Sequence, residues 1–317
     1  MPDAAPRSTW KTLLAFAIIY FVWGSTFLAI RIGVLEFPPF LMAGLRFVIA
    51  GAVMYGWAIA RGQKSPARRQ WIAILVLAIF FFLLDYGLVF WAERRVPSGV
   101  TAVMMAMIPV YIALFEIIFL RTQKLTLRLA LALAAGVAGV AALVSRSVSL
   151  GGAPIDTAGA IGLIFAPMTW AAGTILTRRF SLPSSKVMSS GSQMLTGGIL
   201  LMLASAGLGE FRGFHWGAVS REAWLALLYL IVAGSILGFT AYIWLLDHQS
   251  PTKVGTYAYV NPVLAVFLGY FLAGEPLGAR TILGTLLVLA SVVAITTARA
   301  KKPAAAMPMK QTVKAAG

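Results

Sequence analysis

Apolar runs of about twenty residues, separated by short polar breaks, recur along the whole chain. Crossing a bilayer takes about 20 mainly apolar residues at a helical rise of 1.5 Å each. Ten segments meet that length: Leu13–Val34, Phe40–Ala60, Trp71–Trp91, Gly99–Leu120, Leu129–Val144, Gly159–Thr177, Met188–Leu208, Ala223–Leu246, Val254–Leu272 and Thr281–Thr297. The breaks carry Pro, Gly or charge, as in EFPP, RGQKSPARRQ, ERRVPSG, RTQKLTLR and SRSVSLGGAPIDT, and none is long enough for a soluble domain. The pattern predicts an all-α integral membrane protein. Residues 1–11 (MPDAAPRSTWK) precede the first run without the small-residue cleavage pattern of a secretory signal, so that run is expected to be a retained span.

The pattern also repeats. Trp23–Arg31 reads WGSTFLAIR, and Trp170–Arg178 reads WAAGTILTR, with the arginine eight places after the tryptophan in both. The fourth and ninth spans each have a proline at the start (Pro97, Pro251), a second within the apolar run (Pro109, Pro262) and a hinge ending in leucine (Leu125, Leu277). Spans 1 and 6, 3 and 8, and 4 and 9 therefore correspond. Five spans is an odd number, so the second half enters the membrane upside down. The expected organisation is a tail (1–11), a first repeat (12–150), a second repeat (151–298) and a disordered basic tail (299–317). Inverted repeats of this kind are the sequence signature of alternating access about a midplane site.

Composition sharpens the class. The 317 residues are 60% hydrophobic and 11% charged, far more apolar surface than one soluble core hides. Cysteine is absent, which removes disulfides and thiolate metal sites and leaves the redox compartment open. The net charge of +16 does not imply nucleic acid, because the basic residues lie between spans or on the tails. Counted by alternate loop, lysines and arginines number 18 on the side holding both chain ends and 7 on the other, with Arg46 inside the second span completing the 26. That bias predicts both termini in the cytoplasm and a place in the cytoplasmic membrane.

Ionisable groups inside a bilayer cost about 2.5–3.5 kcal/mol each on insertion scales, so they lead the search for function. Arg46 and Asp85 both lie roughly 10 Å below the same surface, by helical rise. They are expected either to form a fixed ion pair between two helices or to contact substrate or gate. Tyr86, Phe90 and Glu93 share a helical face, an aromatic stripe ending in a carboxylate. Such a stripe suits a cationic or zwitterionic solute, unless Glu93 simply pairs with Arg94 or Arg95. Glu116 reads as a coupling group or as an interfacial acid reaching water or Arg121; Glu93 is the other coupling candidate.

Trp23, Thr26 and Phe27 share one face, as do Trp170, Gly173, Thr174 and Thr177, and the two faces are candidate cavity walls or packing surfaces. Gly24 and Gly173 permit close helix approach. Tyr257 and Asn261 share a face in the ninth span, and Pro262 leaves the carbonyl of Ala258 without its usual donor. Pro109, Pro167 and Pro262 are kinks that either gate or only bend. The small residues of LALAAGVAGVAALV in the fifth span read as tight packing.

The motifs WGSTFLAIRIG, PPFLMAGLRFVIAG, WAERRVPSG and YAYVNPVLAVFLGYFLAGEPL resemble the EamA-type permeases of the drug/metabolite transporter superfamily, in particular its YedA-like members. The likeness covers about residues 12–297. It implies ten helices as two inverted five-helix repeats, a central cavity, and export of amino acids or other small metabolites. One departure is that the hinge after the fourth span reads RTQKL, without the glutamate that Glu275 supplies in the second half.

The expected function is a secondary transporter of a small metabolite, an amino acid or a drug-like solute. Export is the expected direction, and import is the alternative. An intramembrane enzyme is the rival class, but Asp247-His248 is the only acid–histidine neighbourhood and lies at a helix end. No phosphate-cradling loop is present, and no ring of acids or filter loop marks a channel. No cofactor or metal is expected. The partners are the lipid bilayer and a small solute, with room for a homodimer.

Overall fold

The computed structural model describes residues 9–144 and 155–300. The expected tails (most of 1–11 and of 299–317) and the loop at 145–154 lie outside the described residues. Every regular element among the described residues is helical. The spans are α1 (Thr9–Val34), α2 (Pro39–Ala60), α3 (Arg68–Glu93), α4 (Ser98–Ile118), α5 (Leu127–Val144), α6 (Thr157–Thr177), α7 (Lys186–Gly207), α8 (Arg221–His248), α9 (Pro251–Val254, then Tyr257–Ala273) and α10 (Ala279–Ala300). Thr9–Lys11 and Arg299 thus extend helices that the sequence reading gave to the tails.

Nine of these helices are long and apolar enough to cross a bilayer among the described residues, and the apolar piece of α9 is shorter. The breaks differ from the sequence reading in two spans. A non-helical turn at Ala106–Met107 splits α4 just before Pro109, whose missing N–H removes an intrahelical bond. A turn at Gly255–Thr256 splits α9. Serine and aspartate start helices by accepting backbone N–H groups, Asp156 from Gly159 at 2.7 Å and Ser220 from Ala223 at 3.2 Å. Gly274, with φ +64°, ends α9 in the left-handed region that favours glycine.

Two π-helical segments interrupt corresponding spans, Ile79–Tyr86 within α3 and Leu230–Leu237 within α8. Widening the turn to an i→i+5 bond frees carbonyls for other donors, and such segments gather at functional sites.

Exchanging α1–α5 for α6–α10 preserves the main packing pairs. α2 packs on α7 and α5 on α10; α1 packs on α8 and α9, just as α6 packs on α3 and α4. The dominant contacts therefore join the two halves, and the core lies along their boundary. The α2–α7 crossing runs backbone to backbone through glycines: a Cβ on Gly191 would lie 2.7 Å from Tyr55 N, and one on Gly198 would lie 2.7 Å from the Phe47 carbonyl carbon. The small face of α5 meets α10 in the same manner, where a Cβ on Gly139 would lie 2.9 Å from the Gly284 carbonyl oxygen.

The bundle is sealed at the end where α1 finishes and α2 begins. Val34, Phe37, Phe90, Glu93 and Val96 there are no more than 1% exposed. All eight residues of the first segment of α4 (Ser98–Met105) are buried, against only Val110 and Ala113 in its second segment. Packing is tight at one end and loosens toward the other.

Candidate functional site

A cavity of about 200 Å³ lies on the boundary between the halves. Of the residues the sequence singled out, Trp23, Thr26, Arg46, Asp85, Tyr86, Pro109, Trp170, Tyr257, Asn261 and Pro262 line it. Phe90, Glu93, Thr174 and Glu116 do not.

One wall is an aromatic cluster centred on Trp23. Its ring lies 5.1 Å from Tyr257, 5.2 Å from Tyr242 and 5.4 Å from Phe239. The indole N–H is donated to the Gly234 carbonyl oxygen at 3.1 Å, within the π-helical segment of α8. Trp23 therefore presents a ring surface to the cavity, with its donor already used. Trp170 supplies the opposite wall, its ring 4.8 Å from Phe81 and 6.1 Å from Tyr86. Gly24 and Gly173 bring these helices in: a Cβ would lie 2.8 Å from Leu264 Cδ2 at the first and 2.7 Å from Phe81 at the second.

Arg46 and Asp85 supply the charge, and each is 1% exposed. The expected ion pair between them is not formed; no such contact within 4 Å occurs among the described residues. Equal depth left their directions around the helix axes open, and each turns to other neighbours. Arg46 Nε donates to Ser235 Oγ at 3.0 Å, and its guanidinium stacks over Phe47 at 4.7 Å and Tyr86 at 5.3 Å. Those ring faces offset part of its desolvation. Arg46 Nη1 and Asp85 Oδ1 are buried without a hydrogen-bond partner. A donor and an acceptor, both charged in water and both unsatisfied, thus border one cavity.

On the ninth span, the Asn261 amide, oriented with its NH₂ toward them, donates to the carbonyls of Tyr257 (3.2 Å) and Tyr20 (3.1 Å). Ala258, whose carbonyl loses its usual donor to Pro262, lines the cavity beside it. Tyr259 points away, to Thr296 on α10.

The remaining candidates have other surroundings. Phe90 is buried and lies 6.0 Å beneath the Arg46 guanidinium. Glu93 is not at an open mouth: it is fully buried, and neither carboxylate oxygen has a partner. Arg95 bonds the Trp91 carbonyl instead, Arg31 takes the Glu93 backbone carbonyl, and the charges acting on the Glu93 carboxylate are those of Glu275, Arg31 and Arg46. Thr174 returns its hydroxyl to the Trp170 carbonyl at 2.9 Å. Glu116 pairs with Arg178 at 3.0 Å, not with Arg121. Asp247 pairs with Lys186, and His248 stacks on Trp244 with its Nδ1 2.8 Å from the Trp244 carbonyl oxygen, a helix-end arrangement. Phe239 and Tyr242 were missed by the sequence reading; their i, i+3 spacing in FTAYIW puts them on one face, a signal that was available.

The profile of the EamA-like transporter family matches the chain twice, over residues 10–145 and 157–297. The chain belongs to that family. Its membership, and the names of its relatives, make it a transporter and not an enzyme. It is 36% identical over 292 residues, covering 92% of both chains, to YedA of Escherichia coli K12, described as an uncharacterized inner membrane transporter. It is 24% identical to the uncharacterized transporter YvbV of Bacillus subtilis, over 96% of this chain and 97% of that one. A solved crystal structure superposes with a TM-score of 0.60 at 25% identity, covering 93% of this chain and 99% of the other. The two tandem matches agree with the duplication read from the sequence. Each copy holds five helices, an odd number, which is consistent with the inverted arrangement expected from the sequence.

Proposed function

We propose that this transporter is a secondary carrier for a small zwitterionic metabolite of the amino-acid kind, working by alternating access in the cytoplasmic membrane, with both termini in the cytoplasm and export as its direction. The observation that carries this reading is the pair of unpartnered groups in the cavity. A carboxylate at Arg46 Nη1 and an ammonium at Asp85 Oδ1 would satisfy both, and the Trp23–Tyr257 cluster would take the solute's apolar part. Size supports a small solute: about 200 Å³ is below the roughly 300–1,000 Å³ typical of drug-sized ligand sites. The family makes the chain a transporter, and the lysine and arginine count supports the proposed orientation.

Proteoliposome counterflow tests the reading, using amino acids, their decarboxylated amines and their deaminated acids, with and without a pH gradient. Amino acids should exchange, and the singly charged relatives should exchange far more slowly. Equal exchange of all three, or none with a product formed instead, would refute it. Direction is read in cells: an exporter lets overproducing cells tolerate and release a toxic amino-acid analogue, and an importer sensitises them.

A further inference from the structure

Three loop glutamates reach across the boundary between the halves to the starts of helices. Glu36, after α1, accepts from Ser220 N at 2.6 Å and Ser220 Oγ at 2.5 Å, where α8 begins. Glu210, after α7, accepts from Phe40 N at 3.3 Å and Leu41 N at 2.9 Å, in the first turn of α2. Glu275, after α9, accepts from Ser98 N at 2.7 Å and Gly99 N at 3.1 Å, where α4 begins. The first N–H groups of a helix have no intrahelical acceptor and carry the positive end of its dipole, so a carboxylate is their strongest partner. Each bond ties a loop of one half to a helix of the other, and all three lie at the sealed end of the bundle.

The repeat shows what occupies the equivalent places at the opposite end. Trp23 corresponds to Trp170 and Arg31 to Arg178, and α2 and α7, each 22 residues long, keep that register. Glu210 then corresponds to Gln63, and Glu36 to Pro183. Aligning the hinges on Leu125 and Leu277 pairs Glu275 with Gln123. None of these three positions holds a carboxylate; the acids at that end, Glu116 and Asp247, pair with the side chains of Arg178 and Lys186, so as regards helix capping that end is neutral.

We infer that Glu36, Glu210 and Glu275 form a one-sided latch, so that the carrier rests closed at the glutamate end and open toward the neutral end. The inference rests on the alternating-access reading. Opening the glutamate end separates charged acceptors from the N–H groups they cap, whereas opening the other end breaks no such cap, only the solvent-screened Glu116–Arg178 pair across the halves. The unequal burial of the two segments of α4 agrees with that resting state.

The chain has no cysteine, so one introduced at Ala106, a cavity-lining position, is a single reporter. A membrane-impermeant maleimide is applied to right-side-out and to inverted vesicles, without solute. In the otherwise unchanged protein, labelling should be at least tenfold faster from the neutral end. Each of E36Q, E210Q and E275Q should raise the rate from the glutamate end severalfold, and the triple variant should abolish the asymmetry. Gln63→Glu, which places a carboxylate at the neutral end, should slow labelling from that end, and it remains informative if the triple variant fails to fold. Unchanged labelling in folded variants overturns the latch. Because labelling is read without solute and counterflow without cysteine, a protein that exchanges solute but shows no asymmetry loses the latch alone, and one that exchanges nothing loses the carrier reading.

Discussion

Replacing Arg46 with methionine separates binding from folding. In the folded protein the guanidinium is 1% exposed, donates to Ser235 Oγ at 3.0 Å and lies over the Phe47 and Tyr86 rings. Methionine loses the charged hydrogen bond, worth about 1.5–3 kcal/mol, and a desolvated cation–π contact of about 2 kcal/mol. It also removes the insertion cost of a charge, about 2.5–3.5 kcal/mol, and fills a similar volume. These terms nearly cancel, so detergent-solubilised R46M should unfold within a few degrees of the wild type. Transport should not survive so well. If Nη1 holds the solute's carboxylate, removing it costs about 2–5 kcal/mol, or roughly 30-fold to several-thousand-fold in half-saturation. Arg46→Lys keeps the charge without the planar fork and should fall between. The assay is counterflow in proteoliposomes matched for folded protein. Wild-type half-saturation in R46M would refute the role of Arg46 and the zwitterion reading with it.

The glycine crossing of α2 and α7 makes a second prediction: Gly198→Leu should destabilise by about 1–3 kcal/mol or more through overpacking, and Gly56→Ala, which meets nothing within 4 Å, should be neutral or slightly stabilising in the same thermal assay. Trp23→Phe removes the bond to the Gly234 carbonyl and should cost about 0.5–1.5 kcal/mol while keeping an aromatic wall, so measured stability should fall more than solute affinity. The Glu36 carboxyl is held below its ordinary value of 4.5, first by the Ser220 hydroxyl and then by the Ser220 N–H. A lowered folded value means that its contribution is present above 4.5 and is lost as pH falls through the depressed value. The stability difference between wild type and E36Q should therefore stay constant from pH 8 to 5 and shrink only in stronger acid, as followed by melting temperature. Glu116→Gln breaks a half-exposed pair with Arg178 and should change stability by no more than about 1 kcal/mol.

The sequence made the membrane class, the ten helices and the duplication legible, nine of the helices being long enough to span among the described residues, because bilayer thickness and helical rise leave little choice of length. It also found most of the cavity: polar or aromatic side chains in mid-span, such as Trp23, Arg46, Asp85 and Asn261, are costly unless they face an interior. Depth along a helix was readable, but direction around it was not, and the expected Arg46–Asp85 pair failed for that reason. The π-helical segments left no mark in composition, since IFFFLLDY and LIVAGSIL would serve equally well in α-helix, and the shift they introduce changes which residues face inward. Glu93 looked interfacial because it ends a span, yet the packing of α1, α2 and α6 against the end of α3 buries it. Nothing in the sequence marked Glu36 and Glu210, because their acceptor role depends on helix starts that are distant in sequence.

The dominance of contacts between the halves also bears on how the chain is made. During synthesis the first five helices enter the membrane with their glycine-lined and aromatic faces unmatched. Gly51 awaits the backbone of α7, Gly173 can receive Phe81 only once α6 has arrived, and Gly139 meets its close neighbours only with Gly284 and Val288 on α10. The two repeats are units of duplication but not units of assembly. A chain that stops after the fifth helix keeps contacts such as Phe47 on Phe82 and Tyr86 but lacks the partners of its α2 and α5 faces, which are covered only when α7 and α10 dock.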